Sequence, residues 1–345
     1  MEYRLMGSTG VSVSRLCLGT MTFGKETDED GAHAQLDAFV EAGGNFVDTA
    51  DVYQSGVSEE IIGRWLAARK GMADRIVLAT KGRFPMGEGT NSVGLTRKHL
   101  SYALDGSLRR LGVDRIDLYQ VHAFDPLTPL EETLRFMDDA VSAGKISYFG
   151  LSNFIGWQIA AISELAAASG RVAPVLLQPQ YNLLTRFIEL EVVPACLEYG
   201  LGIIPWSPLG GGWLTGKYSR DSLPTGASRL GEDPKRGMEN YDARNADPKV
   251  WEILDAVKEV AGRTGLTMAQ VALAWVADQP GVVAPILGNR TKEQLDQALA
   301  VADTHLDDDD LGRLSEVSAP DVPQYPYGQM GSAQRSRPIT GGRAS

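Results

Sequence analysis

The chain has 345 residues with 33 basic and 44 acidic side chains, a formal net charge of −11 and a pI near 5.0. That acidity argues against nucleic acid as a partner, because phosphate backbones are bound by basic surfaces, and an anionic ligand would have to meet local positive charge. At 43% hydrophobic and 22% charged residues the composition is that of a soluble globular protein, with no apolar run of membrane-spanning length.

Met1-Glu2-Tyr3-Arg4 shows no basic stretch followed by an apolar core, so no secretory leader is read and a cytoplasmic location is expected. Gly7-Ser8-Thr9-Gly10 reads as a hairpin turn. Beyond it, strand-like and helix-like segments alternate eight times, with strands at 16–20, 46–50, 75–81, 118–122, 147–152, 176–181, 202–207 and 283–287. Leu100, Leu104, Leu108 and Leu111 form one apolar stripe on a helix that otherwise carries Lys98, Arg109 and Arg110. Such alternation means a parallel sheet, and eight units mean closure: a (β/α)8 TIM barrel of α/β class forming one domain over residues 1–318. The longest interruption, about 42 residues from Pro208 to Lys249, is glycine-rich and too long for an ordinary connection; it reads as a mobile flap over a bound ligand. Residues 319–345 read as an irregular tail, with Tyr325 and Tyr327 anchoring its first part at the barrel mouth.

Three segments carry the chemistry: Phe46-Val47-Asp48-Thr49-Ala50-Asp51-Val52-Tyr53, Ala79-Thr80-Lys81 and Gln120-Val121-His122. Each sets ionisable groups at the end of an apolar strand, the end that builds the active site of such a barrel. Alone, Asp48 and Lys81 would read as a structural ion pair and Tyr53 as a loop aromatic. Together they can run proton transfer coupled to carbonyl reduction. Lys81 would bring the Tyr53 phenol toward the working pH, Asp48 would hold the lysine charged, and neutral His122 would orient a carbonyl oxygen.

With these segments, Leu16-Cys17-Leu18-Gly19-Thr20-Met21-Thr22-Phe23-Gly24, Gly150-Leu151-Ser152-Asn153, Gln178-Pro179-Gln180-Tyr181-Asn182, Pro205-Trp206-Ser207-Pro208-Leu209 and Pro285-Ile286-Leu287-Gly288-Asn289-Arg290 complete a pattern that resembles the aldo-keto reductases, closest to the bacterial branch similar to potassium-channel β subunits. The resemblance implies an NADPH-dependent reductase of aldehydes or ketones. It places Asp48, Tyr53, Lys81 and His122 in the catalytic role. Its alternative is a cofactor-sensing binding protein with vestigial turnover, like the channel subunits. No Gly-x-Gly-x-x-Gly follows a strand, which excludes a conventional dinucleotide domain while leaving the barrel mouth as cofactor site.

By the same resemblance Gly19, Thr20, Met21 and Asp48 border the cofactor, Ser152, Asn153 and Gln178 hold the carboxamide, and Trp206 stacks on the nicotinamide. Ser207, Pro208, Leu209, Gly210, Leu214, Gly216 and Lys217 would lie along the pyrophosphate, where glycines allow close approach of backbone amides. Gly288, Arg290 and Gln294 would meet the 2′-phosphate and adenosine at a helix N-terminus. Ala298 departs from the family's common asparagine, so its adenine contact is absent or supplied by Gln294 or Gln297. Phe23, Tyr53, Phe84, His122 and Phe124 are the candidate substrate pocket, with Met86, Phe154 and Trp213 as further apolar candidates.

Other motifs read as structural. Gly211 through Gly216-Lys217 imitates a phosphate loop, but Tyr218 stands where a magnesium-binding hydroxyl is needed. Asp307-Asp308-Asp309-Asp310 precedes the apolar pattern Leu311, Leu314, Val317 and reads as helix capping. No metal site is expected: among His33, His99, His122 and His305 only His122 ends a strand, the others being read as exposed, and Cys17 and Cys196 read as reduced core thiols.

Overall fold

In the computed structural model, which describes residues 1–335 except 227 and 236, eight parallel strands run β3 (Cys17–Gly19), β4 (Phe46–Asp48), β5 (Val77–Gly82), β6 (Ile116–Val121), β7 (Ile146–Ser152), β8 (Leu176–Gln178), β9 (Gly202–Ile203) and β10 (Ile286–Leu287). β4 to β9 each pair with the strand before them in parallel register, and β10 pairs with β3. The ring closes through Ile203 N to Gly281 O, Val283 N to Ile203 O and Ile286 N to Pro205 O, each 2.8 Å. The eight strands fall within the segments expected from the sequence or beside their edges, and the (β/α)8 barrel stands.

The barrel interior is filled by Cys17, Phe46, Val77, Ala79, Leu118, Leu176, Ile204 and Ala284. The hairpin β1 (Tyr3–Leu5) and β2 (Ser12–Ser14) adds buried Met6 and Val13 to that cluster and so plugs one end. Every residue of β5 is buried, as a parallel strand between helices and barrel interior must be. Around the strands pack α1 (Glu29–Glu41), α2 (Val57–Ala67), α3 (Arg97–Leu111), α4 (Leu130–Ser142), α5 (Gly156–Ser169) and α6 (Val192–Glu198). Thr96 caps α3 by accepting from His99 N, and Gly112 ends it in the left-handed conformation. Among the described residues no helix is long and apolar enough to cross a membrane.

The segment after β9 is folded down on the barrel. It contains α7 (Arg229–Glu232) and α8 (Tyr241–Asn245), after which α9 (Pro248–Thr264), α10 (Met268–Ala277), α11 (Lys292–Leu299) and α12 (Asp308–Val317) complete the wall. Leu230 is buried, Tyr241 stacks on Trp213 at 5.6 Å, and the buried Glu239 accepts from Gln180 Nε2 at 3.0 Å and from the Ser207 hydroxyl. Asp307 caps α12 by accepting from Asp310 N, as its acidic run suggested.

Three sequence readings are corrected. His99 is buried, because its position on α3 faces the barrel wall beside the apolar stripe. Phe23 is fully buried in a tight turn closed by Phe23 N to Thr20 O and cannot wall an open pocket; Phe154 and Trp213 are likewise core side chains. The tail contains α13 (Gln329–Arg335), preceded by Tyr327, which donates to Glu191, while Tyr325 is exposed. Residues 336–345 of the expected tail lie outside the described residues.

Candidate active site

β4, β5 and β6 end side by side at the mouth, in the register Asp48 beside Ala79 and Lys81 beside Gln120. Strand alternation turns Lys81 inward and its neighbour Thr80 outward, where Thr80 donates to Glu59 on α2. Lys81 Nζ donates to Asp48 Oδ2 at 2.7 Å, to Thr49 O at 2.6 Å and to the Tyr53 hydroxyl at 3.2 Å. The ion pair is fully buried, with lysine and carboxylate side chains 0% and 2% exposed. The second Asp48 oxygen accepts Gln120 Nε2 and Gln178 Nε2, each at 2.9 Å. Asp48 is thereby satisfied on both sides, as a buried carboxylate must be.

Tyr53 opens a short 3-10 turn, Tyr53–Gly56, and is half-buried at the mouth. Its ring lies 6.0 Å from that of His122 at 79°. Burial and the Asp48 carboxylate raise the phenol above its ordinary pKa of 10, and Lys81 only offsets part of this, contrary to the net lowering expected from sequence. Burial disfavours an ammonium, yet Asp48 and Tyr53 outweigh it and hold Lys81 above the usual lysine range. His122 is pushed well below 6.5 by burial and by the charges of Lys81 and Arg83, so its imidazole is neutral at pH 7. Phe84 packs against it at 4.7 Å.

Across the mouth, Asn153 and Ser207 adopt left-handed backbone conformations, φ 56° and 55°, at the loops following β7 and β9. Asn153 Oδ1 accepts the Trp206 indole N–H at 3.0 Å, while its amide nitrogen donates to His122 O and Ser152 Oγ. Ser152 donates to Gln178 O. Thr20 is buried and bonded to Asp48 O and Ser58, Gly19 is packed on Ile286, and Met21 is exposed at the rim.

The turn after Pro208 differs from the expected phosphate cradle. The amides of Gly210, Leu214 and Gly216 donate to Ser207 O, Leu209 O and Trp213 O, so they are used inside the turn. What faces outward is side-chain charge. Lys217 is an exposed residue whose ammonium lies against Gly212; partial desolvation there and the nearby Arg290 lower its pKa. Arg290 forms a fork with Glu232 at 2.5 and 3.1 Å and lies 3.7 Å from Glu26. Gln294 Oε1 accepts Arg290 N at 2.9 Å, next to Gly288 in open space, and Ala298 is buried.

Two site residues were missed from sequence. Gln120 was legible as a polar residue in an apolar strand two positions before His122, hence on the same side. Arg83 follows Lys81-Gly82 directly, but nothing in its spacing says where its long side chain goes.

The aldo/keto reductase family model matches residues 15–319. The chain is 38% identical to an uncharacterized oxidoreductase of Bacillus subtilis, covering 92% of this chain and 96% of that one. It is 33% identical to a versiconal hemiacetal acetate reductase of Aspergillus parasiticus (93% and 98% covered) and 36% identical to a probable voltage-gated potassium channel subunit beta of Oryza sativa subsp. japonica (88% and 92%). Fold, family match and the names of these reductases agree on an oxidoreductase, and the chain belongs to the aldo/keto reductase family.

Proposed function

We propose that the protein reduces an aldehyde or ketone to an alcohol with NADPH as hydride donor. The observation that carries this reading is the single lysine ammonium bonded to both Asp48 and the Tyr53 hydroxyl, beside an imidazole held neutral. The residues at the mouth fit a flat, anionic cofactor: an indole fixed by Asn153 offers a stacking face, and Lys217 and Arg290 put positive charge on the rim of an acidic protein. Met21, Ser152, Asn153, Gln178, Trp206, Ser207, Lys217, Gly288, Arg290 and Gln294 would hold it, and when bound it supplies the hydride.

The chain's own residues handle the proton. The Tyr53 phenol holds its proton at neutral pH, and the Lys81 ammonium, which offsets part of the rise in its pKa, makes that proton easier to release. As the carbonyl oxygen gains charge Tyr53 gives up its proton, and the phenolate left behind sits 3.2 Å from the Lys81 ammonium, which stabilises it. Neutral His122 hydrogen-bonds the same oxygen and sets its direction. Asp48, fixed by Gln120 and Gln178, keeps Lys81 charged and pointed. Phe84 and Phe124 line the substrate side.

The test is loss of nicotinamide absorbance with a panel of aldehydes and ketones for wild type and Tyr53→Phe. General acid catalysis contributes about 10²–10⁴ in rate, so the variant should lose that factor while still binding NADPH. Near-normal turnover in Tyr53→Phe, with hydride transfer limiting, removes the proposed mechanism.

A further inference from the structure

Resting on the carbonyl-reduction reading above, we propose that Arg83 is a specificity determinant that selects carbonyl substrates bearing a carboxylate on an aromatic frame. Its backbone is fixed where β5 leaves the barrel, Arg83 O accepting Gly94 N at 2.9 Å. The guanidinium carbon lies 5.0 Å from the Phe84 ring centroid, and Phe84 in turn packs against His122. Nη2 makes a long bond, 3.4 Å, to Phe124 O. The cation therefore lies between Phe84, which packs on His122, and the backbone of Phe124, two residues beyond that histidine.

Beyond that one long bond its donors are unspent. Arg83 forms no ion pair among the described residues, and its buried Nε has no acceptor. The neighbouring acid, Asp125, is occupied elsewhere, accepting Leu95 N, Leu127 N and the Thr128 hydroxyl. Arg83 thus keeps its charge at the mouth without a carboxylate in ion-pair contact, Asp125 being near enough only to feel that charge. A guanidinium fork matches a carboxylate in two parallel hydrogen bonds, which no backbone carbonyl can provide.

Arg83 also stands apart from the cations at the cofactor rim. In the strand order of the closed barrel β5 lies opposite β9, whose following segment bears Lys217. A nicotinamide dinucleotide stretched over β9 and β10 leaves Arg83 to the substrate. The frame is indicated by the aromatic side chains near this cation: Phe84 under it, and Phe124 with the exposed Trp157 packed edge-on to it at 5.6 Å.

The test compares kcat/KM for the 2-, 3- and 4-carboxybenzaldehydes with their uncharged carboxamide counterparts in the full chain with NADPH. Wild type should prefer the best carboxylate isomer over its carboxamide by about tenfold or more, the range of a charge-assisted hydrogen bond being about 10- to 150-fold. Arg83→Gln should bring that ratio close to one, and Arg83→Lys, which keeps the charge without the fork, should leave an intermediate ratio. An unchanged ratio in both variants, or no preference in wild type, overturns the proposal. Calorimetric titration of benzoate into the protein with NADP⁺ separates this result from failure of the reductase reading. If no aldehyde is turned over, but benzoate binds and Arg83→Gln weakens it at least tenfold, the anion site stands and carbonyl reduction falls. Benzoate bound equally by wild type and variants overturns the Arg83 assignment whatever the turnover.

Discussion

Asn153 holds the Trp206 indole by a 3.0 Å hydrogen bond, joining the end of β7 to the segment that follows β9. The same amide donates to His122 O, so one side chain registers the stacking face against the imidazole strand. It does so from a left-handed backbone, φ 56°, which asparagine tolerates better than most residues.

Asn153→Gly keeps that backbone accessible and removes only the amide. A net hydrogen bond of about 0.5–1.5 kcal/mol corresponds to roughly 2- to 12-fold in affinity. The variant should weaken NADPH by that order, read by quenching of indole fluorescence. An unchanged Kd would show that the indole needs no such support.

Lys81 and Asp48 should act as a unit. Lys81→Met leaves a buried carboxylate without its cation, a loss of about 3–5 kcal/mol, and Asp48→Asn in the same chain should restore part of it. Because the folded pKa of Lys81 is raised, its stabilisation is complete below the ordinary lysine pKa and lost only as pH rises through the higher folded value. The deficit should therefore be flat across neutral pH in urea titrations. In kinetics, loss of the ammonium should move the limb belonging to Tyr53 to higher pH. Additive losses in the double variant count against coupling.

Asp51 gives a pH dependence of the opposite sign. It is fully buried, and burial with the Glu59 charge pushes its carboxyl from 3.8 to about 7, Arg110 and Lys81 pulling the other way. The unfolded chain ionises first, so the folded state binds the extra proton and this site's contribution falls as pH rises from about 4 to 7. Above that range the cost is complete, on the order of 4 kcal/mol. Asp51→Asn should thus gain on wild type as pH rises, the difference in Tm being small at pH 4.5 and largest at pH 8. A difference independent of pH in scanning calorimetry would remove Asp51 as its source.

Arg290 can discriminate between cofactors only through the 2′-phosphate that NADH lacks. Arg290→Ala should raise Kd for NADPH about 10- to 150-fold and leave NADH nearly unchanged. Glu232 now occupies that guanidinium from an exposed position on α7, a pair worth about 0–1 kcal/mol. Glu232→Gln should therefore tighten NADPH by up to about fivefold. Parallel loss of both cofactors in Arg290→Ala would make Arg290 a general anchor.

The barrel was legible because its strands are short apolar runs bounded by turn residues, and the period of the pattern does not depend on which strand lies beside which. That Asp48, Lys81 and His122 come together was legible because each stands at the same end of a strand in one parallel barrel, although singly Asp48 and Lys81 read as a structural ion pair. Phe23 and His99 show the limit: burial follows from what packs on the other side, and a tight turn or an inward helix face removes an aromatic or an imidazole from solvent without any mark in its own segment. The balance at Tyr53 likewise belonged to the assembled site. Sequence identified the ammonium that lowers its pKa, but the desolvation that outweighs it exists only once β4, β5 and the Tyr53 turn close around the hydroxyl. The same holds for Arg83 and Glu232. Long flexible side chains reach partners set by tertiary geometry, so local pattern named the strands and their terminal charges, and only the folded barrel decided which of those charges are paired and which are not.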